Sequence, residues 1–368
     1  MFGKKKVRYA VIGAGWFGQE AVLPGFASAD NSELAAIVSG DPTKHRELGK
    51  KYGVPTFTYE QYDELLTSGT VDAVFIVLPN AMHCEYTVRA AERSIHVLCE
   101  KPLASNRQES EQMVDACRRN GVKLMTAYRL HLESANLAAI KAIADGKIGE
   151  PRLFHGINCQ SVAEGNTRLD GDLKGGPLMD LGVYCINAAR YLFRDDPIEV
   201  TGFTASLPGE RFAEVPEMVS AVLRFPKDRL ATFSCGFGES KVSEYRVIGT
   251  AGDIRLDPAY AFRGEIKTHL TDEAGTTKTD TCKERDQVGA EIAYFAECIR
   301  ENRDPEPDGV EGMIDLAIID GIKESIRTKR AVALGPFPRK DRPTTDQEIK
   351  LPKVSPPKLV NAGPPSEP

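Results

Sequence analysis

This chain lacks the features that would direct it to a membrane, a nucleic acid or an oxidising compartment. No stretch approaches the ~18 consecutive apolar residues that a spanning helix needs. Its start, MFGKKKVRYAVIG, has no apolar signal region ahead of the first strand-like run. The formal net charge is −6, which speaks against a nucleic-acid partner but leaves room for a local basic pocket that holds a phosphate. Lys4, Lys5 and Lys6 form too short a run to read as more than a solvated terminus. The eight cysteines (84, 99, 117, 159, 185, 235, 282 and 298) include no C-x-x-C pair, and several lie in apolar runs. They are expected to be reduced, mostly buried thiols of a cytoplasmic protein. No His/Cys/Asp cluster has metal-ligand spacing, so no metal is expected. There is neither a G-x-S-x-G nucleophile elbow nor an internal repeat.

What is present is an ordinary globular composition, 41% hydrophobic and 27% charged over 368 residues, enough for two or three domains. Residues 7–12, 33–38, 73–78, 94–99 and 122–126 read as buried strands. Helical patterns at 15–28, 43–52, 59–67, 83–93 and 106–120 alternate with them. This rhythm predicts an α/β domain with a doubly wound parallel sheet over residues 1–130. Beyond it come a helix at 133–145, a Gly-rich stretch and a helix at 177–193. Strand-like runs then follow one another at 199–205, 218–225, 231–237, 244–249 and 265–270, closed by helices at 284–302 and 310–329. Runs of strands without intervening helices predict a second domain, 131–335, with a largely antiparallel sheet. Its last helix can pack back on the first domain. In residues 336–368, nine of 33 are proline and the periodicity is lost, which predicts an extended tail laid along the body or a neighbouring subunit.

Two motifs carry chemistry in the first domain. Gly13-Ala14-Gly15-Trp16-Phe17-Gly18 is G-x-G-x-x-G between a predicted strand and a helix. In a βαβ unit these glycines allow a tight turn, close approach to a pyrophosphate and close helix packing, which assigns Gly13, Gly15, Trp16, Phe17 and Gly18 to a dinucleotide site of the Rossmann type. The second strand ends at Ser39, where an NAD enzyme usually carries an acid for the ribose diol. Asp41, followed by Pro42, is better explained as a helix cap. Ser39 with Lys44 suits a 2′-phosphate, so NADP is expected rather than NAD. The second motif is Val97-Leu98-Cys99-Glu100-Lys101-Pro102, an apolar run that delivers a charge at its carboxyl end, where open α/β sheets bind ligands. Lys101 is therefore the first catalytic candidate.

With Leu78-Pro79-Asn80-Ala81-Met82-His83 and the later block Gly175-Gly176-Pro177-Leu178-Met179-Asp180-Leu181-Gly182-Val183-Tyr184-Cys185-Ile186-Asn187, these motifs resemble the glucose–fructose oxidoreductase / inositol dehydrogenase / rhizopine-catabolism (Gfo/Idh/MocA) family over roughly residues 7–335. The resemblance implies an N-terminal Rossmann domain and a C-terminal α+β domain with an open antiparallel sheet. It places the nicotinamide between them and makes that sheet a subunit interface of a homodimer or homotetramer. Asp180 and Tyr184 are four apart and share a helix face. Most members of the family have histidine where this chain has Tyr184, and the tyrosine is similar to the glucose–fructose oxidoreductase branch.

The resemblance implies oxidation of an aldose, glucose- or xylose-like, at C1 to the aldonolactone by hydride transfer to NADP⁺. Tyr184 would accept the C1 hydroxyl proton. A phenol of ordinary pKa ~10 needs help to do so, and the Lys101 ammonium would favour its phenolate while polarising the sugar oxygen. Asp180 would orient the sugar or position Lys101. Pro79, Asn80, His83 and Glu100 would line the cofactor, with a buried structural role as the other reading of His83. Arg129, His131 and Arg168 are the candidate sugar contacts. Relatives that hold NADP permanently use a long N-terminal arm, whereas six residues precede the first strand here, so an exchangeable cofactor is expected unless the proline-rich tail serves as the cover. The competing readings are a sugar–sugar oxidoreductase, a keto-sugar reductase and a non-catalytic NADP-binding regulatory protein.

Overall fold

A computed structural model describes residues 5–338 and 341–366. Lys4 of the lysine run, and residues 339–340 and 367–368 of the tail, lie outside the described residues. The chain forms two compact units. The first contains the chain up to Arg129 together with Arg285–Met313 and Ile349–Pro364; the second contains Leu130–Glu284, Ile314–Glu348 and the chain from Pro365. The sequence rhythm closes the first domain near residue 130, whereas here two later segments return to that unit.

In the first unit, β1 (Val7–Ile12), β2 (Ser32–Val38), β3 (Thr56–Phe57), β4 (Ala73–Ile76), β5 (His96–Glu100) and β6 (Leu124–Ala127) form one sheet in the order β3-β2-β1-β4-β5-β6. Every pairing is parallel. The strand order reverses between β1 and β4, and ligands of doubly wound sheets bind at the carboxyl ends on either side of such a reversal. The strands are buried along almost their whole length, which is why they read as apolar runs rather than alternating ones. The two-residue β3 leaves too short a pattern to be read from sequence.

The helices are α1 (Leu23–Gly25), α2 (Pro42–Tyr52), α3 (Tyr62–Thr67), α4 (His83–Glu92), α5 (Arg107–Arg119), α6 (Ser134–Ala144), α7 (Val183–Phe193), α8 (Gln287–Glu301) and α9 (Gly309–Thr328). α1 and α7 each begin with a wide π turn, Gly18–Val22 and Leu178–Gly182. The Leu23 N–H donates to Gly18 O and the Val183 N–H to Leu178 O, five residues back in each case. α8 belongs to the first unit. The Tyr9 hydroxyl donates to Ile292 O (3.2 Å) and the Asn31 amide to Ala293 O (2.8 Å). Gly25 lets α8 come close, since a Cβ there would lie 3.0 Å from Gly289 N. The periodicity shows that α8 buries one face but does not say against which sheet.

The second unit is built on a nine-stranded sheet: β7 (Pro151–Cys159), β8 (Glu199–Ala205), β9 (Met218–Phe225), β10 (Arg229–Gly236), β11 (Val242–Gly249), β12 (Gly252–Asp257), β13 (Ile266–Thr271), β14 (Thr277–Cys282) and β15 (Val332–Ala333). The order is β14-β13-β12-β11-β7-β10-β9-β8-β15, and all pairs are antiparallel except β7 with β10. α7 packs on this sheet over Gly156, where a Cβ would lie 3.1 Å from the Tyr260 hydroxyl and 3.2 Å from Cys185 Sγ. Beneath α7 runs a buried ionic chain. The fully buried Arg190 donates from Nη1 to Asp315 Oδ1 (2.7 Å) and from Nε to Asp196 Oδ1 (2.7 Å). Asn187 Nδ2 donates to Asp315 Oδ2 at 3.0 Å. All eight thiols are free. Among the described residues no helix is long and apolar enough to cross a membrane.

Candidate functional site

The glycine motif sits at the carboxyl end of β1. Gly13 has φ +101°, and a Cβ there would lie 2.4 Å from Val77 O, so no other residue fits this turn. A Cβ on Gly18 would lie 2.8 Å from Gly13 O, which fixes the close approach of the following turn. Nothing lies within 4 Å of where a Gly15 Cβ would be, and Gly15 is exposed. The two outer glycines thus serve the fold, and the middle one leaves a bare backbone cradle. An extended pyrophosphate fits such a cradle, flanked by the half-buried Trp16 and Phe17, whose rings are 6.4 Å apart.

At the end of β2, Ser39 is 5% exposed. Its Oγ accepts from the Asp41 N–H (3.3 Å), and its carbonyl lies 2.6 Å from His45 Nε2. Asp41 caps α2 as the sequence implies: its Oδ1 accepts from the backbone N–H groups of Thr43 (2.8 Å) and Lys44 (3.4 Å). The Asn361 amide, aided by these N–H groups, holds the Asp41 carboxyl below the usual carboxylate range.

His83 is fully buried. Its ring nitrogens lie 2.8 Å from Leu78 O and 3.0 Å from Pro102 O, stapling the end of β4 to the Glu100-Lys101-Pro102 turn. Of its two sequence readings, this geometry is that of the buried structural histidine. Burial pushes its pKa down even though both carbonyls favour the charged ring. A group with a depressed folded pKa contributes stability above its unfolded pKa, about 6.5 for histidine, and loses it as the pH falls. The urea midpoint is therefore expected to fall between about pH 7.5 and 5.5. His83→Gln should flatten that dependence, and an unchanged slope would remove His83 as its source.

Lys101 follows β5, and its backbone N–H donates to Glu100 Oε2 at 3.3 Å. Behind this turn Arg129 meets two residues that the sequence motifs do not reveal, Gln287 and Glu291. Arg129 is 4% exposed, and its Nη1 donates to Gln287 Oε1 at 2.5 Å. Glu291, one turn along α8, is 1% exposed. Burial, then repulsion from Glu100, pushes its carboxyl well above the ordinary range. Arg129, read from sequence as a sugar contact, is thus engaged in a buried polar cluster on the first unit. Gln287 and Glu291 lie more than 150 residues from it in sequence, and no spacing signal connects them.

In the second unit, the paired glycines of the 175–187 block lock a loop against α7. A Cβ on Gly175 would lie 2.2 Å from Arg168 O, and the Gly176 N–H donates to that same carbonyl at 2.8 Å. This delivers the Arg168 guanidinium to Asp180, with Nε donating to Oδ2 at 2.9 Å. Asp180 lies in the π turn and Tyr184 in the first turn of α7. Both are half-buried, and the Tyr184 ring centroid is 5.9 Å from that of the buried Tyr260. His131 is fully buried: Nε2 is 2.8 Å from Asn187 Oδ1, and the ring stands edge-on to Tyr191. It extends the Arg190–Asp315 chain through Asn187. Its sequence reading was a sugar contact, and the packing places it in the core beneath α7.

A strand-turn-helix cradle at a sheet reversal, with a lysine at a strand end of the same unit, is the architecture of a dinucleotide-binding domain. Residues 7–128 match an oxidoreductase family described as having an NAD-binding Rossmann fold, and residues 136–255 match the GFO/IDH/MocA C-terminal domain. The chain is 35% identical over 337 residues to a D-xylose 1-dehydrogenase [NADP(+)] of Haloarcula marismortui, covering 89% of this chain and 93% of that one. It is 31% identical over 303 residues to a dTDP-3,4-didehydro-2,6-dideoxy-alpha-D-glucose 3-reductase of Streptomyces violaceoruber, covering 80% and 86%. The crystal structure of aldose-aldose oxidoreductase from Caulobacter crescentus complexed with glycerol superposes with TM-score 0.86 at 33% identity, covering 90% of this chain and 100% of that one. This chain belongs to the GFO/IDH/MocA oxidoreductase family.

Proposed function

We propose that the protein is an NADP-dependent sugar oxidoreductase that oxidises an aldose, glucose- or xylose-like, at C1 to the aldonolactone. The observation that carries this is the open Gly15 cradle beside a strand end occupied by Ser39 instead of an acid, in a chain similar over most of its length to an NADP-dependent xylose dehydrogenase. When bound, NADP⁺ supplies the hydride acceptor. Gly13, Gly15, Trp16, Phe17 and Gly18 hold its pyrophosphate, and Ser39 and Lys44 its 2′-phosphate. Pro79, Asn80 and Glu100 line the remainder. Lys101 polarises the C1 oxygen, and Tyr184 accepts the C1 hydroxyl proton. The Arg168–Asp180 ion pair presents an ordered carboxylate to the sugar hydroxyls, so that position is set before the substrate arrives.

A second reading has one aldose oxidised and another reduced on a retained cofactor, and likeness to an aldose-aldose oxidoreductase favours it. Incubating the purified protein with NADP⁺ and single aldoses separates the two. Stoichiometric NADPH formation over many turnovers supports the dehydrogenase, whereas lactone and polyol formation from an aldose pair without added cofactor supports the other. No turnover with any aldose would sink both. In the same assay Ser39→Asp should move the NADP/NAD preference towards NAD.

The free thiols suit a reducing, cytoplasmic setting. We also assign the open face of the nine-stranded sheet to a second copy of the chain. Leu153, Ile157, Leu230 and Phe203 lie on that face, the last 73% exposed.

A further inference from the structure

The tail returns to the first unit over Ile349–Pro364, and its contacts there are specific. Val360 makes a reciprocal pair with Gln19: its N–H donates to Gln19 Oε1 (2.8 Å), and Gln19 Nε2 donates to its carbonyl (2.8 Å). Gln19 is 1% exposed, and the same Nε2 donates to Ala14 O (2.9 Å), inside the glycine motif. One residue on, Asn361 Nδ2 donates to Asp41 Oδ2 at 3.0 Å. Asn361 has φ +44°, a left-handed conformation that asparagine tolerates better than most residues. The Lys51 ammonium donates to Lys358 O at 3.4 Å, so the segment also follows α2.

These contacts bear on Asp41, two residues beyond Ser39 at the end of β2, whose N–H donates to Ser39 Oγ. Its Oδ1 is committed to the backbone of Thr43 and Lys44 and its Oδ2 to the tail. A carboxylate with an available oxygen there would accept from a ribose 2′-hydroxyl and repel a 2′-phosphate. We propose that the C-terminal tail is a wall of the dinucleotide site and that Asn361, by engaging Asp41 Oδ2, is a positioning residue for NADP over NAD selectivity. The inference rests on the NADP reading above. Val360 anchors the wall to the glycine motif through Gln19, and Asn361 occupies the acid that would otherwise select NAD.

The test is fluorescence titration of the full-length protein with NADPH and NADH. Asn361→Gly keeps the left-handed backbone accessible and removes only the amide. It is expected to lower the NADPH/NADH affinity ratio about tenfold, roughly the value of one charge-assisted hydrogen bond. The effect should vanish in an Asp41→Asn background, where there is no charge to engage. Val360→Pro, which deletes the donor to Gln19, should weaken both dinucleotides. An unchanged ratio in Asn361→Gly overturns the proposal, as does an equal loss for both cofactors or tighter binding when the tail is loosened. Wild-type protein titrated alongside keeps the two readings apart: if it binds neither dinucleotide, the NADP reading itself fails and this one falls with it.

Discussion

Tyr184→Phe is expected to lower kcat by between about a hundredfold and ten-thousandfold, the range for removing a general base, with dinucleotide affinity unchanged. The substitution deletes one oxygen and keeps the ring. The ring is half-buried and stacks in a tilted arrangement on Tyr260, which packs in turn on Tyr245, so the scaffold that holds it survives. Loss of turnover without loss of binding would locate the missing atom in the chemical step. A variant within about threefold of wild type would remove Tyr184 from that role. Lys101→Met in the same background adds a sharper reading. Groups that act on one sugar hydroxyl show strongly non-additive losses, whereas independent sites multiply theirs.

The second large effect concerns stability. Asp315→Ala is expected to cost about 3–5 kcal/mol, the usual penalty for breaking a buried ion pair, and to lower the melting temperature by roughly 10 °C. Arg190 and Asp315 both have fully buried side chains, and removing the acid strands a guanidinium that solvent cannot reach. The loss propagates, because Asp315 also accepts from Asn187, whose own oxygen lies against His131. Asp196 offers only partial compensation, being already shared with Arg342 at 2.9 Å. Replacing both partners by apolar residues of similar volume, as in R190M/D315L, should recover part of the loss, because no guanidinium is then stranded and Asp196 keeps Arg342, while Asn187 still loses its acceptor. A melting temperature within about 2 °C of wild type for Asp315→Ala would show that water or rearrangement rescues the arginine. Because the chain of partners lies under α7, calorimetry should be read together with the affinity for substrate.

The parallel sheet was legible because its strands are buried on both faces and leave continuous apolar runs; residues 7–12 coincide with β1. β9 was equally plain, since one-sided burial gives strict alternation along residues 218–225. The central strand β7 was not. Leu153 and Ile157 face outward, and Gly156 and Asn158 face the helix layer, so its apolar pattern is inverted along much of its length. β14 is almost wholly exposed and polar, and nothing in its composition separates it from a loop. In the candidate site the motifs identified Lys101, Asp180 and Tyr184 as residues of interest, and the Asp41 cap followed from Asp-Pro alone. The partners of these groups were hidden. Arg168 meets Asp180 through a glycine-shaped loop, and Gln287 and Asn361 come from segments that return to the first unit late in the chain. Periodicity reports which face of an element is buried, and says nothing about which distant element covers it.

The two wide turns that open the helices after the glycine motif and after Pro177 set a phase. Each accommodates one residue more than an α turn, so everything before it is rotated relative to the helix that follows. Residue count within 178–182, more than residue identity, fixes the angle between Asp180 and Tyr184. A single-residue deletion there would let an ordinary α-helix run through, turning the leading segment by about 100°. Arg168 would then lose its carboxylate although no site residue had changed. Outside Gly18, Gln19, Asp180 and Gly182 these segments are expected to tolerate substitution, yet to be intolerant of any change in length, so an insertion-deletion scan across 18–22 and 178–182 should show lost function where point substitutions at the remaining positions do not.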